Sequence, residues 1–400
     1  GDLSVTAGGA VTQTGALAIT GTSSFTTDVS NKTITLSTAS NAFTGAVSLN
    51  TTGTSANATI DNGTTALNIA ASTIGGNLIV RAGDSITDSG VITVGGTASF
   101  ITDTSDKLIT LNSQNAITGQ ITFDTTSTGG DVTIDNGTTA ISLGTIASGD
   151  IGGNLTLLTD ADQTISNAIT LGGSGAELSI TVDNANSLTV QVALTTNAGA
   201  ITLSADDDVI FTAAGDLTTA NGNITVSADD DATSDTASGG ALTMVDGTVF
   251  NASSGTVAVS ADENITIGQI TTTSSSSSAI QLSSTSGNVV DGDTDESNDL
   301  IAPNGTVLIA DAELFGPSGN SIEVNASATN TSGLTVVVVT STADTSLSGS
   351  SETVGNTSVG KTVVISSGID KSVSKTILAT TGSTSSTVSH SGNINTGAAG

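Results

Sequence analysis

Carboxylates at short spacing are the residues whose type and order could do chemistry in this sequence. One acidic segment carries Asp291, Asp293, Asp295 and Glu296. Oxygen ligands on alternate loop residues are typical of sites for hard cations such as Ca²⁺. The full calcium-loop motif needs a glycine at its sixth position and a glutamate at its twelfth, where this sequence has Glu296 and Ala302. We therefore predict Ca²⁺ as an optional ligand and no required cofactor.

A second set of carboxylates follows a repeated strand pattern. The sequence Ile-Thr-Leu-Ser-Ala-Asp-Asp-Asp at 201–208 returns as Ile-Thr-Val-Ser-Ala-Asp-Asp-Asp at 224–231. If the two segments lie in neighbouring layers about 5 Å apart, their carboxylates repel unless a cation lies between them. The candidate ligands of this set are Asp206, Asp208, Asp229 and Asp231. The alternative, which we favour for both sets, is a solvated acidic face with no specific ion.

Catalytic groups other than carboxylates are scarce. His390 is the single histidine, cysteine, Tyr and Trp are absent, and Lys and Arg together number six. A Ser-His-Asp triad would have to use His390, and a polysaccharide lyase would lack basic residues and sugar-stacking aromatic rings. A pair of carboxylates for glycoside hydrolysis stays open because Asp is abundant. We predict that the chain is not an enzyme; a polysaccharide-active β-helix enzyme is the less favoured alternative.

Charge excludes two classes of partner. The net charge of −31 opposes binding to nucleic acid, which requires Lys and Arg against phosphate, and docking on an anionic membrane. No apolar run approaches membrane-spanning length, so we predict no membrane insertion. Because the sequence begins at Gly1 and not at Met, we expect a processed protein or a segment of a longer one.

Short strands must position these side chains, and they recur with a long period. Leu3, Leu78 and Leu155 follow Gly-Asp or Gly-Asn and are 75 and 77 residues apart. Alternating runs such as Thr33-Ile34-Thr35-Leu36 predict strands, and no long stretch shows a helical period. A sustained period predicts stacked coils. At roughly 19–25 residues per coil, one repeat would comprise three or four coils.

The sequence divides into three parts. Residues 1–190 carry the repeat of about 75 residues, and residues 191–325 carry the acidic coils, one of them with an insertion from Asp231 to Gly240. Residues 326–400 are Ser/Thr-rich and are predicted to be a β-rich cap or strands that pair with another subunit. Phe25 and Phe100 occupy equivalent repeat positions and are predicted core contacts. Gly63 and Gly137, each after an Asn, are predicted at corners with positive φ.

The repeat resembles a known family. Gly-Asn-Leu-x-Val at 76–80, Val-Gly-Gly-Thr-Ala-Ser-Phe at 94–100 and Ser-Ala-Asp-Asp-Asp at 204–208 resemble the β-strand repeats of filamentous-haemagglutinin-like adhesins and related giant bacterial exoproteins. The resemblance covers residues 1–325, although the family's N-terminal secretion cap is not recognisable. It implies an all-β, right-handed parallel β-helix (β-solenoid) at the bacterial cell surface, and the usual right-handed crossover of parallel strands agrees.

These observations predict a structural building block of an extracellular filament, sheath or surface layer. Self-association through terminal coils and the C-terminal strands would form a homopolymer. The alternative is a stalk segment of a secreted adhesin whose tip lies elsewhere, with a glycan or protein receptor on a host or other cell surface as its partner.

Overall fold

The structure is a computed structural model that describes residues 1–126, 129–229, 240–287, 289–292, 299–305 and 307, and beyond these only the backbone of seven strands between 307 and 390. It is all-β: no helix occurs in the part of the chain so described. Consequently, no described helix is long and apolar enough to cross a membrane. The chain forms two compact units, Gly1–Asn186 and Ser187–Gly400.

The first unit is a solenoid of parallel strands. In chain order the strands are β1 (Leu3–Ala7), β2 (Val11–Thr12), β3 (Ala18–Ile19), β4 (Ser23–Thr27), β5 (Ile34–Leu36), β6 (Ala42–Phe43), β7 (Val47–Asn50), β8 (Ala58–Asp61), β9 (Leu67–Ile69), β10 (Ser72–Ile74), β11 (Leu78–Ala82), β12 (Ile86–Asp88), β13 (Ile92–Val94), β14 (Ala98–Thr102), β15 (Ile109–Leu111), β16 (Ala116–Ile117), β17 (Ile121–Asp124), β18 (Val132–Asp135), β19 (Leu155–Thr159), β20 (Gln163–Ile165), β21 (Ile169–Leu171) and β22 (Leu178–Val182).

Each of the first six coils, from β1 to β18, contributes one strand to each of three faces, and the coil that follows has isolated bridges at Leu143 and Ile146. Face 1 contains β1, β4, β7, β10, β13 and β16; face 2 contains β2, β5, β8, β11, β14 and β17; face 3 contains β3, β6, β9, β12, β15, β18, β19 and β22. The pairings within each face are parallel, and paired residues are 19 apart at Leu67 and Ile86 and 24 apart at Ser23 and Val47. The predicted parallel solenoid and coil length are confirmed.

The sequence repeat does not end on a whole coil. Along face 1, Thr6 pairs with Thr26, Thr26 with Asn50, and Asn50 with Thr73, which completes three coils. The repeat equivalent of Thr6 is Arg81, eight residues further on, and it lies in β11 on face 2. Leu3, Leu78 and Leu155 accordingly lie on faces 1, 2 and 3. Each copy of the repeat spans three coils and one further face, which was not predicted.

Alternation along the strands builds a thin core. In β4 and β14, every second side chain is buried, and Phe25 and Phe100 are 1% and 0% exposed. Phe25 packs edge-to-face on Phe43 and Phe100 stacks on Phe123, both with ring centroids 5.9 Å apart. The two phenylalanines are core residues as predicted. They lie on different faces, because the second copy is displaced by one face.

The second unit repeats the three-strand coil with more variable length. Its strands are β23 (Leu188–Val190), β24 (Leu194–Thr196), β25 (Ile201–Ala205), β26 (Val209–Phe211), β27 (Leu217–Thr219), β28 (Ile224–Ala228), β29 (Leu242–Met244), β30 (Val249–Asn251), β31 (Val257–Ala261), β32 (Ile265–Ile267), β33 (Gln269–Thr271), β34 (Ile280–Ser284), β35 (Val289–Asp291), β36 (Leu300–Ile301), β37 (Val307–Ala310), β38 (Val324–Asn325), β39 (Leu334–Val338), β40 (Glu352–Thr353), β41 (Lys361–Ile365), β42 (Ile377–Leu378) and β43 (Thr387–His390).

Two features of this unit relate to the sequence predictions. Ile201 pairs with Ile224 after 23 residues, and Ile224 pairs with Val257 after 33, so one coil carries about ten extra residues as predicted. The predicted insertion itself lies almost entirely outside the described residues. Near the C-terminus, β39, β41 and β43 continue the parallel ladder that includes β34 and β37. Their role as a cap or as inter-subunit strands stays a prediction.

Candidate functional site: the coil-to-coil interface

A polar contact recurs where strands begin, and it joins each coil to the next. Asn77 immediately precedes β11, and its Oδ1 accepts a hydrogen bond from the backbone N–H of Thr97, which immediately precedes β14 in the next coil (2.9 Å). Asn57 makes the same contact with the N–H of Asn77 (2.9 Å). Both units contain it, with N···O distances of 2.8–2.9 Å, at Asp2, Asn57, Asn77, Asp131, Asn154, Asp208, Asp216 and Asn223.

At several of these contacts, a glycine of the next coil packs against the Asx side chain. Gly96 lies above Asn77, and a Cβ on Gly96 would clash with the Asn77 side-chain oxygen. Gly76 is placed in the same way above Asn57, and Gly153 above Asp131. At these three contacts only a residue without Cβ leaves room for the side chain of the coil below, whereas the contacts of Asn154 and Asp216 have Ala176 and Thr248 at this position. We call this combination of a strand-preceding Asx and the glycine above it the Gly–Asx step.

The Gly–Asx step explains the opening of each repeat. Gly-Asp-Leu at 1–3 and Gly-Asn-Leu at 76–78 and 153–155 place glycine two residues, and Asx one residue, before a strand. The sequence marks this motif as the start of each repeat, but its contact with the adjacent coil was not predicted. An Asx directly before an alternating run is the signal that could have revealed it, because its side chain can reach the backbone of the adjacent coil.

Buried amides join the coils inside the corners. Asn62 is 0% exposed; its Oδ1 accepts from the Phe43 N–H (2.7 Å), and its Nδ2 donates to the carbonyls of Phe43 (3.1 Å) and Ala66 (2.6 Å). The amide therefore satisfies a backbone donor and acceptor that a strand residue would otherwise pair. We call such a side chain an amide clamp. The amide clamps are Asn62 on Phe43, Asn136 on Ile117 and Gln163 on Ile141.

The glycines after two of these clamps have the predicted conformation. Gly63 and Gly137 have φ of 58° and 52°, which confirms the expected corners with positive φ. Each glycine N–H donates to the aspartate two residues earlier, Asp61 (2.8 Å) and Asp135 (2.9 Å). These corners were predicted as turns alone, and the buried asparagine amides were not predicted.

The predicted carboxylate sites are only partly covered by the structure. Asp231, Asp293, Asp295 and Glu296 lie outside the described residues. Asp291 ends β35, where it pairs with Ile267. Within the described ranges, no group of three or more His, Cys, Asp or Glu side chains is placed to hold a metal ion. Ca²⁺ at these residues stays a prediction.

The acidic corner near Asp206 does bring its residues together in neighbouring coils. Ala205 pairs with Ala228, so Asp206 and Asp229 follow directly on adjacent strands. Asp207 accepts from the Ser187 hydroxyl (2.9 Å), and Asp208 accepts from the Ala241 N–H (2.8 Å). Asp208 thus makes the same Asx-to-backbone contact as Asn77, and it holds the chain where it returns from the long coil. At least this carboxylate has a structural role whether or not an ion binds.

The first coil differs from those that follow. Leu3, Val5, Leu17 and Ile19 point inward but stay half-buried, whereas Phe25, the ladder partner of Val5, is 1% exposed. Ile19 is likewise half-buried beside its fully buried partner Phe43. One side of β1 and β3 therefore presents apolar side chains and the edge of a parallel ladder, whereas Val11 of β2 is buried.

Comparison with known proteins agrees with a repeat architecture. Residues 1–50 and 55–124 match a family model described as repeats of unknown function (DUF5649). The matched residues cover the first copy of the repeat and most of the second. No curated protein and no solved structure matches the chain. The chain is a repeat protein with a β-solenoid fold.

Proposed function

We propose that the chain is a structural building block of an extracellular bacterial filament, sheath or surface layer, and that copies join end to end through their terminal coils and C-terminal strands. The observation that carries this proposal is the contact repeated from coil to coil, in which an Asx side chain accepts a backbone N–H of the next coil, as Asn77 does from Thr97 (2.9 Å). The first coil offers a surface of the same kind, with Leu3, Val5, Leu17 and Ile19 half-buried. Burial of apolar surface drives protein association, and the edge of a parallel ladder accepts further strands.

A second copy of the chain is the occupant that fits this surface. The Gly–Asx step and the amide clamps join coils to the coils above and below them at several points in the described part of the chain. A coil supplied by another molecule can therefore continue the same contacts, as in β-augmentation. The C-terminal strands β39, β41 and β43 belong to a parallel ladder and are the segment we propose to provide that coil.

The proposed setting rests on composition and resemblance. The repeats resemble those of filamentous-haemagglutinin-like exoproteins, which act at the bacterial surface. A net charge of −31 keeps such an assembly hydrated and opposes non-specific sideways association. In this proposal the chain has no catalytic role, and bound Ca²⁺ is optional.

Electron microscopy of the purified full chain, with and without Ca²⁺, tests the proposal. We expect filaments with a regular axial repeat close to the length of one subunit. Single short rods at every Ca²⁺ concentration would contradict end-to-end assembly. They would instead favour the adhesin stalk, whose partner is a surface glycan or protein receptor.

A pair of variants identifies the surface that drives assembly. Val5→Asp places a charge on the inner side of the first coil, whereas Thr6→Asp places the same charge on the outer side of the same strand. We expect Val5→Asp to abolish filaments while circular dichroism stays unchanged, and Thr6→Asp to assemble as the unmodified chain does. Equal assembly of both variants would exclude the first coil as the joining surface.

A further inference from the structure

Four Asn–Gly pairs give this sequence a specific chemical vulnerability. They occur at 62–63, 136–137, 221–222 and 304–305. In such a pair the glycine nitrogen attacks the side-chain Cγ of asparagine and ammonia leaves, which forms a succinimide. One water then opens the ring to aspartate or isoaspartate. The reaction requires a glycine nitrogen that can lose its proton and is not held by a strong acceptor, a side chain able to turn toward it, and access of water.

The structure places these pairs in different environments. At Asn62 both reacting groups are fixed: the amide is clamped on Phe43, and the Gly63 N–H donates to the Asp61 carboxylate (2.8 Å). Asn136 has the same arrangement with Asp135. Asn62 and Asn136 are both 0% exposed, so water is excluded as well.

Asn221 is held far less tightly. Its side chain is exposed, and its Oδ1 accepts a hydrogen bond from the Ser254 hydroxyl (2.6 Å). The Gly222 N–H donates to the Thr219 hydroxyl (2.8 Å), which is a neutral acceptor and therefore weaker than the carboxylate that holds Gly63. At the fourth pair, Asn304 is exposed and donates to the Thr273 carbonyl (3.1 Å).

We infer that Asn221 is a site of spontaneous deamidation in the folded protein, and that the amide clamps protect Asn62 and Asn136 from the same reaction. This inference is independent of the proposed assembly. It assigns a second role to Asp61 and Asp135, because each accepts a hydrogen bond from the glycine nitrogen that would otherwise attack the asparagine side chain.

The consequences of the reaction differ between the two classes. A carboxylate at position 62 would face the carbonyl oxygens of Phe43 and Ala66 without a proton to donate, and a buried unpaired charge is strongly destabilising. Isoaspartate would also lengthen the backbone at a corner where a Cβ on Gly63 would already meet the carbonyl oxygens of Ala39 and Asn41 at 2.7 and 2.8 Å. An aspartate at position 221 is exposed and still accepts from the Ser254 hydroxyl. Deamidation is therefore tolerated at Asn221 and incompatible with the fold at Asn62.

The rates can be compared within one molecule. The full chain is incubated at mildly alkaline pH, once folded and once in concentrated urea, and deamidation of each Asn–Gly pair is followed by peptide mass spectrometry. In urea we expect similar rates at Asn62, Asn136 and Asn221. In the folded chain we expect Asn221 to react at least about tenfold faster than the other two, because they react only after local opening. Equal rates in the folded chain would overturn the inference.

A variant tests the protecting carboxylate directly. Asp61→Ala frees the Gly63 N–H, while Asp135 still holds Gly137 in the same molecule. We expect deamidation at Asn62 to rise about tenfold relative to Asn136, the factor equivalent to one charge-assisted hydrogen bond. An equal rise at both sites would indicate general loosening and would contradict the specific role of Asp61.

Aspartate introduced by mutation tests the structural consequence. We expect Asn221→Asp to melt at the same temperature as the unmodified chain and Asn62→Asp to melt at a clearly lower one, measured by circular dichroism. Equal melting temperatures would contradict the claim that deamidation is incompatible with the fold at position 62.

Discussion

The first copy of the repeat, residues 1–75, and the second, residues 76–151, form the same corners with different surface charges. Asp28 and Asp103 are equivalent, and their backbone N–H groups donate to the equivalent carbonyls of Ala7 and Ala82 at 3.1 and 2.8 Å. The second corner also carries ion pairs to the preceding coil, Arg81–Asp103 (2.6 Å) and Lys107–Asp84 (3.1 Å). These are the two ion pairs found among the described residues.

The first copy lacks the residues needed for those pairs. Thr6 and Gly9 occupy the positions equivalent to Arg81 and Asp84, although Lys32 is present at the position of Lys107. The corner of the first copy nevertheless has the same backbone contact. This backbone contact therefore forms without the ion pairs, and the charged side chains are an addition. Surface ion pairs contribute little to stability, which agrees with their dispensability.

The amide clamps should give the largest effect and should affect both copies equally. Asn62→Leu and Asn136→Leu each leave a buried backbone N–H and C=O of the adjacent coil unpaired. We expect each variant to lose about 4 kcal/mol of unfolding free energy, because each orphaned buried group costs about 1–3 kcal/mol. Urea denaturation of the full chain, followed by circular dichroism, measures the loss.

Asn50→Leu is the matched control, since Asn50 points outward from β7 and is only half-buried. We expect this variant to change the free energy of unfolding by less than about 0.5 kcal/mol. A large difference between the Asn62 and Asn136 variants would show that the two copies are not equivalent inside their corners.

Much of the architecture could be predicted from the sequence, whereas the displacement of the second copy of the repeat by one face could not. Alternating Val, Ile and Leu between Gly and Asn corners specify strands and stacked coils, as at Thr33-Ile34-Thr35-Leu36. The period in residues does not determine the number of coils, because individual coils differ in length, such as 20 residues from Leu3 to Ser23 and 24 from Ser23 to Val47. Only the strand register shows that a repeat of 75 residues ends one face beyond the face on which it began.

The candidate sites show a similar division. The sequence indicated Asn62 and Asn136 as corner residues, but propensity cannot distinguish an exposed turn asparagine from a buried amide clamp. That distinction depends on the adjacent coil: Phe43 and Ile117 pair with a strand on one side, and the amide pairs their backbone groups on the other side. The carboxylate sites were uncertain for a different reason. Aspartate is abundant in the sequence, and many similar carboxylates gave no basis for choosing particular metal ligands among them.

Glycines at the coil contacts should give the next largest effect, again in both copies. Gly45 and Gly119 are equivalent, and a Cβ on either would clash with the carbonyl oxygen of the glycine below, Gly21 or Gly96. We expect Gly45→Ala and Gly119→Ala to cost about 1–3 kcal/mol each, the usual penalty of overpacking.

The control is Gly149→Ala, because a Cβ at Gly149 would meet no atom within 4 Å. We expect no loss of stability in this variant, measured by the same urea denaturation. Tolerance of Gly45→Ala would show that the coils can separate slightly without losing their register, and it would weaken the assigned role of glycine in coil stacking.

The surface charges should give the smallest effect, and they should distinguish the copies. The backbone N–H of Ser85 and then Lys107 lower the pKa of Asp84 below its ordinary value of 3.8. A lowered folded-state pKa stabilises the corner above pH 3.8 and loses that contribution as the pH falls through the lowered value. Below pH 3.8 we therefore expect faster amide hydrogen exchange at Asp103 relative to Asp28, whose corner has Gly9 in place of Asp84.

Expressing exchange as the ratio of the Asp103 rate to the Asp28 rate removes most of the intrinsic dependence of exchange on pH. Lys107→Ala should reduce the change in this ratio, whereas Lys32→Ala should leave it as in the unmodified chain. The expected change is only a few-fold, because exposed ion pairs contribute at most about 1 kcal/mol. A ratio that stays constant on acidification would show that Asp84 and Lys107 do not stabilise the second corner, and that the two copies are equivalent in stability despite their different surfaces.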